Sequence, residues 1–323
     1  MVQSIILLLF ITAILLINSF VTNVEPIHGK GIFNKQHTEI YRGVAVLMIV
    51  VAHCAGNLGT NIFTPFGGIG VSIFLLLSGY GLNESYKLKG LGGFIKKKLS
   101  KVWIPFVVFE IICYSLFEEF DYQKLIMNIF CIESNDYWFV YYLVRCYILF
   151  WVVTKFFSSC RWPFFVLFGL YSFFMMEGRV PEQCISFGLG VLFSTYKDKV
   201  ESFGDKHLIS LLFISGVIGI SFLAIKQLSF IRANMDSWVF LIVETAIKMP
   251  LGLFVIIFFY MLSKRFFIPP LLFLLGSLSY EIYLVHMQMR SLIGEYAISA
   301  FAMLFVSVLL SYGLNKFNKL LRW

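Results

Sequence analysis

Residues 207–225 read HLISLLFISGVIGISFLAI, an apolar run of nineteen residues that contains no Asp, Glu, Lys or Arg. A helix that crosses the hydrocarbon core of a bilayer needs about 20 such residues, because each residue adds about 1.5 Å along the axis. A run of this length and composition is typical of a transmembrane helix.

Similar runs recur along the whole chain. Eleven have about the length of a span, and they lie near residues 4–22, 41–57, 66–84, 102–118, 137–155, 163–177, 183–196, 207–225, 238–262, 269–287 and 294–314. The chain is 59% hydrophobic and 14% charged, whereas soluble domains carry roughly 25% charged residues. These observations exclude a soluble globular domain and predict an all-α fold, a polytopic transmembrane helix bundle in a lipid bilayer.

The positions of the basic residues predict the orientation of this bundle. Residues 87–101 carry six lysines, so this loop is expected in the cytoplasm by the positive-inside rule. Alternating from there places 18 of the 26 Lys and Arg in cytoplasmic loops and five outside, with the acidic stretch 118–121 outside. The net charge of +8 is thus explained by topology, without a nucleic-acid partner. We expect a plasma (inner) membrane protein with a cytoplasmic C-terminus.

The first run, residues 4–22, is open to two interpretations, a cleaved signal peptide or an uncleaved helix. Met1 to Ser4 contain no Lys or Arg, and no small-residue cleavage site follows Asn18. The sequence therefore favours an extra transmembrane helix. The six cysteines are scattered without a CxxC pair, which predicts neither a disulfide framework nor a metal site.

Two ionisable residues share one predicted span. Arg42 and His53 are eleven residues apart, which brings them to the same helix face about 16 Å apart along the axis. An ionisable group within the membrane costs roughly 2.5–3.5 kcal/mol and is by default a functional candidate. Arginine binds phosphate by forked hydrogen bonds, and histidine is the usual general base. The alternative is that Arg42 only reaches the interface and that His53 is a satisfied polar group of the bundle.

Other polar groups in the spans have structural explanations as well. Glu244 and Lys248 are four residues apart, in the order that favours a helical ion pair, so they are either a structural pair or support a site. Arg145 needs a carboxylate such as Glu110 or Glu281, and the sequence does not decide between them.

Small residues and aromatic residues mark further positions. The glycine-rich residues 67–70, with Ser78 and Gly79, predict a close approach of helices rather than a phosphate loop. His286 follows Tyr283 by one helical turn, so it is either an interface residue or part of a site.

Five blocks of the sequence resemble, in order, those of the membrane acyltransferase-3 family. The blocks are Tyr41-Arg42-Gly43-Val44-Ala45 followed by His53, residues 70–80 (GVSIFLLLSGY), the basic loop leading to Lys98, Lys101 and Pro105, Tyr137-Trp138-Phe139, and residues 276–286 (GSLSYEIYLVH). The resemblance implies an acyltransferase-like membrane domain of ten core spans over residues 38–315. It leaves an extra helix and loop at residues 1–37 and a basic cytoplasmic tail at residues 316–323.

The resemblance also implies a chemistry. Members of this family move acyl groups, commonly acetyl, from cytoplasmic acyl-CoA to hydroxyls of extracytoplasmic acceptors such as surface polysaccharide sugars. Acetyl-CoA or another acyl-CoA would be the co-substrate, with no tightly bound cofactor. The sequence leaves open the acceptor, the acyl group and the oligomeric state.

The family's site residues carry over to matching positions. Arg42 would hold donor phosphates and take part in catalysis with His53, while Lys98 and Lys101 would receive the CoA head group. Both lysines stand where the family favours arginine, and Lys lacks its bidentate geometry. Residues expected to bind substrate or support the site are Ser78, Trp138, Arg145, Glu244, Tyr280, Tyr283 and His286.

A secondary transporter or polysaccharide flippase is the rival interpretation, because such proteins also place charges at mid-membrane depth. The sequence shows no corresponding broken-helix segments in two halves, which would mark an inverted repeat. Consumption of acetyl-CoA with release of thiol would distinguish the two functions.

Overall fold

The computed structural model of the protein describes residues 2–22, 31–117, 122–132, 137–266, 268–290, 294 and 296–320. Its helices are α1 (Val2–Thr22), α2 (Lys35–Asn57), α3 (Thr64–Lys89), α4 (Phe94–Lys98), α5 (Ile104–Phe117), α6 (Tyr122–Ile129), α7 (Trp138–Phe156), α8 (Trp162–Met175), α9 (Ser186–Thr195), α10 (Lys197–Glu201), α11 (Asp205–Ile225), α12 (Ser229–Ala233), α13 (Trp238–Ser263), α14 (Pro270–Ser277), α15 (Ser279–Met289) and α16 (Ala297–Leu320). A π-helical segment, Leu99–Trp103, joins α4 to α5. The described residues contain no strand, which confirms the all-α prediction.

The number of spans differs from the prediction. Among the described residues, eight helical segments are long and apolar enough to cross a membrane, with α4, the π-helical segment and α5 counted together as Phe94–Leu116. The number is nine if the bent pair α14–α15 counts as one span. The predicted count of ten core spans is not confirmed, because α8 has 14 residues and α9 only ten. Ten residues rise about 15 Å, half the thickness of the hydrocarbon core. The acidic stretch 118–121, Lys30 and the end of the basic tail, residues 321–323, lie outside the described residues.

The run at residues 269–287, predicted as one span, is broken. Leu278, with φ −102° and ψ 5°, ends α14, and α15 leaves at an angle of 79°. The bend directs α15 into the bundle, where every side chain from Glu281 to His286 is buried. This is one broken span among the described residues, and hydropathy alone gave no sign of it.

Two helices form the centre of the bundle. In α2 and α3, 72% and 67% of the residues in the most apolar window are buried, against 11% in α1. Helix α1 lies at the periphery, where Asn18 Oδ1 accepts a hydrogen bond from the backbone N–H of Leu271 at 2.9 Å. The middle parts of α2 and α3 are therefore placed inside the protein, and α1 is an addition to this core.

Glycines allow backbone-to-backbone contact at two helix crossings. A methyl group at Gly79 of α3 would overlap the carbonyl oxygen of Phe187, and one at Gly190 of α9 would overlap that of Leu76. At the second crossing, a methyl group at Gly43 of α2 would overlap the carbonyl oxygen of Leu272, and one at Gly276 of α14 would overlap that of Glu39. The close packing predicted for Gly79 is confirmed.

Candidate functional site

A pair of histidines lies between two of the central helices. His53 of α2 and His286 of α15 stack with ring centroids 5.1 Å apart and an angle of 7° between the planes. His53 Nδ1 is 2.9 Å from His286 Nε2, a hydrogen-bond distance. The bend between α14 and α15 makes this contact possible, because it turns the buried face of α15 toward α2.

The hydrogen bonds of this pair define which nitrogens carry protons. His286 Nδ1 is 3.0 Å from the carbonyl oxygen of Ile282, which can only accept, so Nδ1 is the protonated nitrogen. With both rings neutral, His286 Nε2 accepts from His53 Nδ1–H. The lone pair of His53 Nε2 is then available to a substrate. This arrangement of a base oriented by a second group is the one that nucleophile-activating sites require.

A cavity of about 300 Å³ opens onto His53. Its lining residues include His53, Trp138, Tyr283, Gly67, Gly68, Arg179, Glu182 and Arg290. Tyr283 is buried, and its ring centroid is 5.6 Å from that of His286. The volume is at the lower end of the range for small-molecule sites.

A second cluster lies at the other end of α2. Arg42 interacts electrostatically with Lys98 and with Tyr147 of α7. Lys98 Nζ is 4.5 Å from the centroid of the Tyr147 ring, and Ser78 interacts with the Tyr147 side chain. Lys101, which is exposed on the π-helical segment, adds a third positive charge near Lys98. We call Arg42, Lys98 and Lys101 the basic cluster.

One uninterrupted helix joins the basic cluster to the histidine pair. His53 follows Arg42 by eleven positions of α2, which is about 16 Å along the axis. Arg42 interacts with Tyr147 of α7, and Trp138 at the start of α7 lines the His53 cavity. The cavity lining does not include Arg42 among the described residues. The basic cluster and the histidine pair therefore lie at opposite ends of α2.

The Glu244–Lys248 pair is present and belongs to a longer chain of charges. Lys248 Nζ is 2.7 Å from Glu244 Oε2 and also forms an ion pair with Glu182. Lys226 pairs with the other oxygen of Glu244. Lys248 and Glu244 are buried, so these charges neutralise one another away from water. Glu182 also lines the His53 cavity, so it connects this chain of charges to the cavity. The spacing of Glu244 and Lys248 did not indicate that connection.

We expect Lys248→Met to destabilise the protein strongly. The change roughly keeps the length of the side chain but leaves Glu182 without its cation and Glu244 with Lys226 alone, and breaking a buried ion pair costs about 3–5 kcal/mol. The midpoint of thermal unfolding in detergent, followed by tryptophan fluorescence, should fall markedly. Lys264→Met is the control, because Lys264 and its partner Asp205 are 38% and 58% exposed and such pairs contribute about 1 kcal/mol or less. Equal unfolding midpoints for the two variants would contradict a structural role of this chain of charges.

Two of the sequence-predicted residues, Tyr280 and Arg145, belong neither to the cavity lining nor to the basic cluster. The hydroxyl of Tyr280 donates to the carbonyl oxygen of Val102 at 2.7 Å, which ties α15 to the π-helical segment. Arg145 is half-buried and is not among the cavity residues. Asn128 and Asn315 donate to the two carboxylates considered as its partners: Asn128 Nδ2 to Glu110 Oε2 at 3.1 Å, and Asn315 Nδ2 to Glu281 Oε1 at 2.7 Å.

Sequence analysis missed four residues of these sites. Arg179, Glu182 and Arg290 lie beside predicted spans, where the positive-inside count gave the arginines only a topological meaning. Tyr147 is one of 16 tyrosines, and nothing in its spacing sets it apart. Each is brought to its site by contacts between distant parts of the chain.

The cysteines and metal-ligand residues show no further centre. All six cysteines are free thiols, and Cys54, Cys113, Cys131 and Cys146 are buried. In the part of the chain that the structure describes, no three His, Cys, Asp or Glu side chains are grouped so that they could hold a metal ion.

Comparison with known proteins identifies the family. The family model described as an acyltransferase domain matches residues 39–316, from the first turns of α2 into α16. No curated protein and no solved structure matches the chain. Because the match covers most of the chain and the described helices are those of a multi-pass membrane protein, this protein belongs to the acyltransferase-3 family and is a membrane acyltransferase.

Proposed function

We propose that this enzyme transfers an acyl group, acetyl in the first instance, from cytoplasmic acyl-CoA to a hydroxyl of an extracytoplasmic acceptor, a sugar of a surface polysaccharide. The observation that carries the proposal is the placement of a basic cluster and a hydrogen-bonded imidazole at the two ends of α2. The protein would lie in the plasma (inner) membrane with its C-terminus in the cytoplasm, so that the basic cluster faces the cytoplasm.

His53 would act as the general base. Its Nε2 accepts the proton of the acceptor hydroxyl, while the hydroxyl oxygen attacks the thioester carbonyl carbon. The tetrahedral intermediate collapses by breaking the carbon–sulfur bond, and the departing thiolate takes the proton from the imidazolium. The products are an ester and free CoA thiol. In a second route, His53 Nε2 attacks the thioester carbon and the carbon–sulfur bond breaks, which releases the thiolate and leaves an acyl-imidazolium. The acceptor hydroxyl then attacks the acyl carbon, the bond to Nε2 breaks, and the hydroxyl proton passes to the thiolate.

His286 would be a positioning residue in either route. Its Nε2 accepts from His53 Nδ1–H at 2.9 Å, which fixes the tautomer and holds the ring with Nε2 available to the substrate. When His53 takes up a proton, this hydrogen bond becomes charge-assisted and therefore stronger. The buried side chains of Tyr283 and His286 limit water beside the acyl group, which protects the thioester from hydrolysis.

The basic cluster would bind the phosphates of the donor. Arg42, Lys98 and Lys101 bring three positive charges to one end of α2, and arginine and lysine are the usual phosphate ligands. The acyl thioester must then reach His53 from about 16 Å away, which the long, flexible arm of a CoA can do.

A flippase or secondary transporter is the second candidate, favoured by the break between α14 and α15. Transporters place broken helices at the substrate site in both halves of an inverted repeat. The described residues contain one such break, and it positions His286 beside His53. Transport alone gives no reason for an oriented imidazole pair, so we favour transfer.

We expect Arg42→Ala to raise the KM for acetyl-CoA by about 10- to 100-fold, because hydrogen bonds to a charged group contribute roughly 1.5–3 kcal/mol. Arg42→Lys should restore only part of the loss, since lysine retains the charge but not the fork. Steady-state thiol release by protein in vesicles measures both. Lys89→Ala, an exposed lysine at the end of α3, is the control and should leave KM unchanged. An unchanged KM in Arg42→Ala would remove Arg42 from the donor site.

The function itself is tested with purified protein and with cells. Protein in vesicles should release thiol from acetyl-CoA only when an acceptor is present. Mass spectrometry of surface glycans from cells with and without the protein should show the loss of an acyl ester. Unchanged surface glycans, or movement of a substrate across the membrane without thiol release, would favour a flippase or secondary transporter.

A further inference from the structure

The His53 cavity carries more positive than negative charge. Arg179, Arg290 and Glu182 are its charged lining residues, and Glu182 is neutralised by its ion pair with Lys248. Within the described ranges, no carboxylate forms an ion pair with either arginine. Glu244, the other carboxylate in the chain of charges, is itself paired with Lys226 and Lys248.

The two arginines lie at the mouth of the cavity. Arg179 and Arg290 are exposed, whereas Tyr283 and His286 are buried, and both arginines interact electrostatically with His53. A group held by the arginines would therefore sit between solvent and the imidazole.

Arg290 is held in place from one side. Its Nε donates to Asn57 Oδ1 at 3.2 Å, while Asn57 Nδ2 donates to the carbonyl oxygen of Arg290 at 3.2 Å. This reciprocal contact joins the ends of α2 and α15. It leaves the two terminal amino groups of the guanidinium for a ligand, which is the fork that binds a carboxylate or phosphate.

We propose that the acceptor is anionic, and that Arg179 and Arg290 bind a carboxylate or phosphate next to the hydroxyl that is acylated. This inference rests on the proposed function and names its acceptor class. The donor phosphates have their own cluster about 16 Å away along α2. Arg179 and Arg290 are exposed whereas His53 is half-buried, so the arginines are placed for the acceptor at the mouth rather than for the thioester beside the imidazole. A cavity of about 300 Å³ admits a terminal acidic sugar or a sugar phosphate rather than a folded length of polymer.

Binding of three sugars that share one ring tests the inference without turnover. Protein in nanodiscs, free of acyl-CoA, is titrated with glucose, glucuronate and glucose 1-phosphate. We expect at least one of the two anions to bind about tenfold or more tightly than glucose, with an affinity that falls as salt rises. The better anion identifies the group as carboxylate or phosphate.

Variants separate the cavity from general surface charge. Arg179→Gln with Arg290→Gln should reduce the affinity for the preferred anion by about tenfold or more, whereas Arg232→Gln, an exposed arginine outside the cavity lining, should not. Equal binding of all three sugars, or undiminished binding by the double variant, would overturn the inference. Anion binding of the expected pattern without thiol release from acetyl-CoA would count against the transfer reaction and leave the anion site standing.

Discussion

His53→Ala is expected to lower acceptor-dependent thiol release by about 10²- to 10⁴-fold, the contribution of a general base, while the protein still accumulates in the membrane. Removing the imidazole removes the lone pair that takes the hydroxyl proton in the proposed mechanism. The side chain is half-buried against a cavity, so its loss enlarges that cavity without breaking a packed core. Thiol release by purified protein, normalised to the amount of folded protein, measures the effect.

Substitutions of His286 test whether His53 needs a second imidazole to orient it. His286→Ala should lower the turnover number with little change in the KM for acetyl-CoA, because the residue acts on His53 rather than on the donor. His286→Gln offers a carbonyl oxygen to His53 Nδ1–H and should retain more activity than the alanine variant. His207→Ala, an exposed histidine at the start of α11, is the control. Full modification of the acceptor by His53→Ala would exclude His53 from the mechanism.

The covalent route gives a separate signal. If His53 carries the acyl group, protein quenched early in turnover should be heavier by one acyl group, and digestion should place that group on His53. Its absence under conditions where His286→Gln slows turnover would favour direct attack by the acceptor hydroxyl.

Hydropathy and spacing predicted much of this molecule. The eleven apolar runs overlap helices in the described chain, and Arg42 and His53 lie on one helix as predicted. These features are local, because they depend on residues within a single helix. Helix direction is not local, so the sequence indicated neither the 79° bend at Leu278 nor the shortness of α9.

The contacts that complete the site could not be predicted from spacing. His286 is 233 residues from His53 along the chain, and only the folded bundle brings them to 2.9 Å. Glu182 joins the Glu244–Lys248 pair from a short 3₁₀ segment whose sequence shows no helical period. Recognition of the family supplied the roles of Arg42 and His53, but the arginines at the cavity mouth emerged from the structure.

The second large effect concerns the crossing of α3 and α9. We expect Gly190→Ala to prevent most of the protein from reaching a folded state, because the added methyl group would overlap the carbonyl oxygen of Leu76 and lie 2.9 Å from the backbone nitrogen of Tyr80. Overpacking among side chains costs about 1–3 kcal/mol, and a clash with backbone costs more because a helix has no alternative rotamer. Abundance in the membrane and the elution profile of detergent-solubilised protein measure the loss.

Separation of the two helices would also disturb the cavity. Asn83 Nδ2 donates to Ser194 Oγ at 2.9 Å, and Ser72 and Ser186 hydroxyls lie 3.1 Å apart, so a shift of α9 strains buried hydrogen bonds on both sides of the crossing. The segment preceding α9 carries Gln183, whose amide donates to the carbonyl oxygen of Gly68 in the cavity wall at 2.9 Å. Any folded fraction of Gly190→Ala should therefore have a lower turnover number as well.

A neighbouring glycine on the same helix provides the matched control. A methyl group at Gly188 meets no atom within 4 Å, and alanine favours a helix over glycine by about 1 kcal/mol, so Gly188→Ala should leave abundance unchanged or raise it slightly. On α3, Gly79→Ala should prevent folding as Gly190→Ala does, because its methyl group would overlap the carbonyl oxygen of Phe187. Gly81→Ala is its control, since a methyl group there meets no atom within 4 Å. If Gly190→Ala and Gly188→Ala accumulate equally, the two backbones do not touch as described. The placement of Glu182 and the cavity wall would then need another explanation, because both depend on how closely α9 approaches α3.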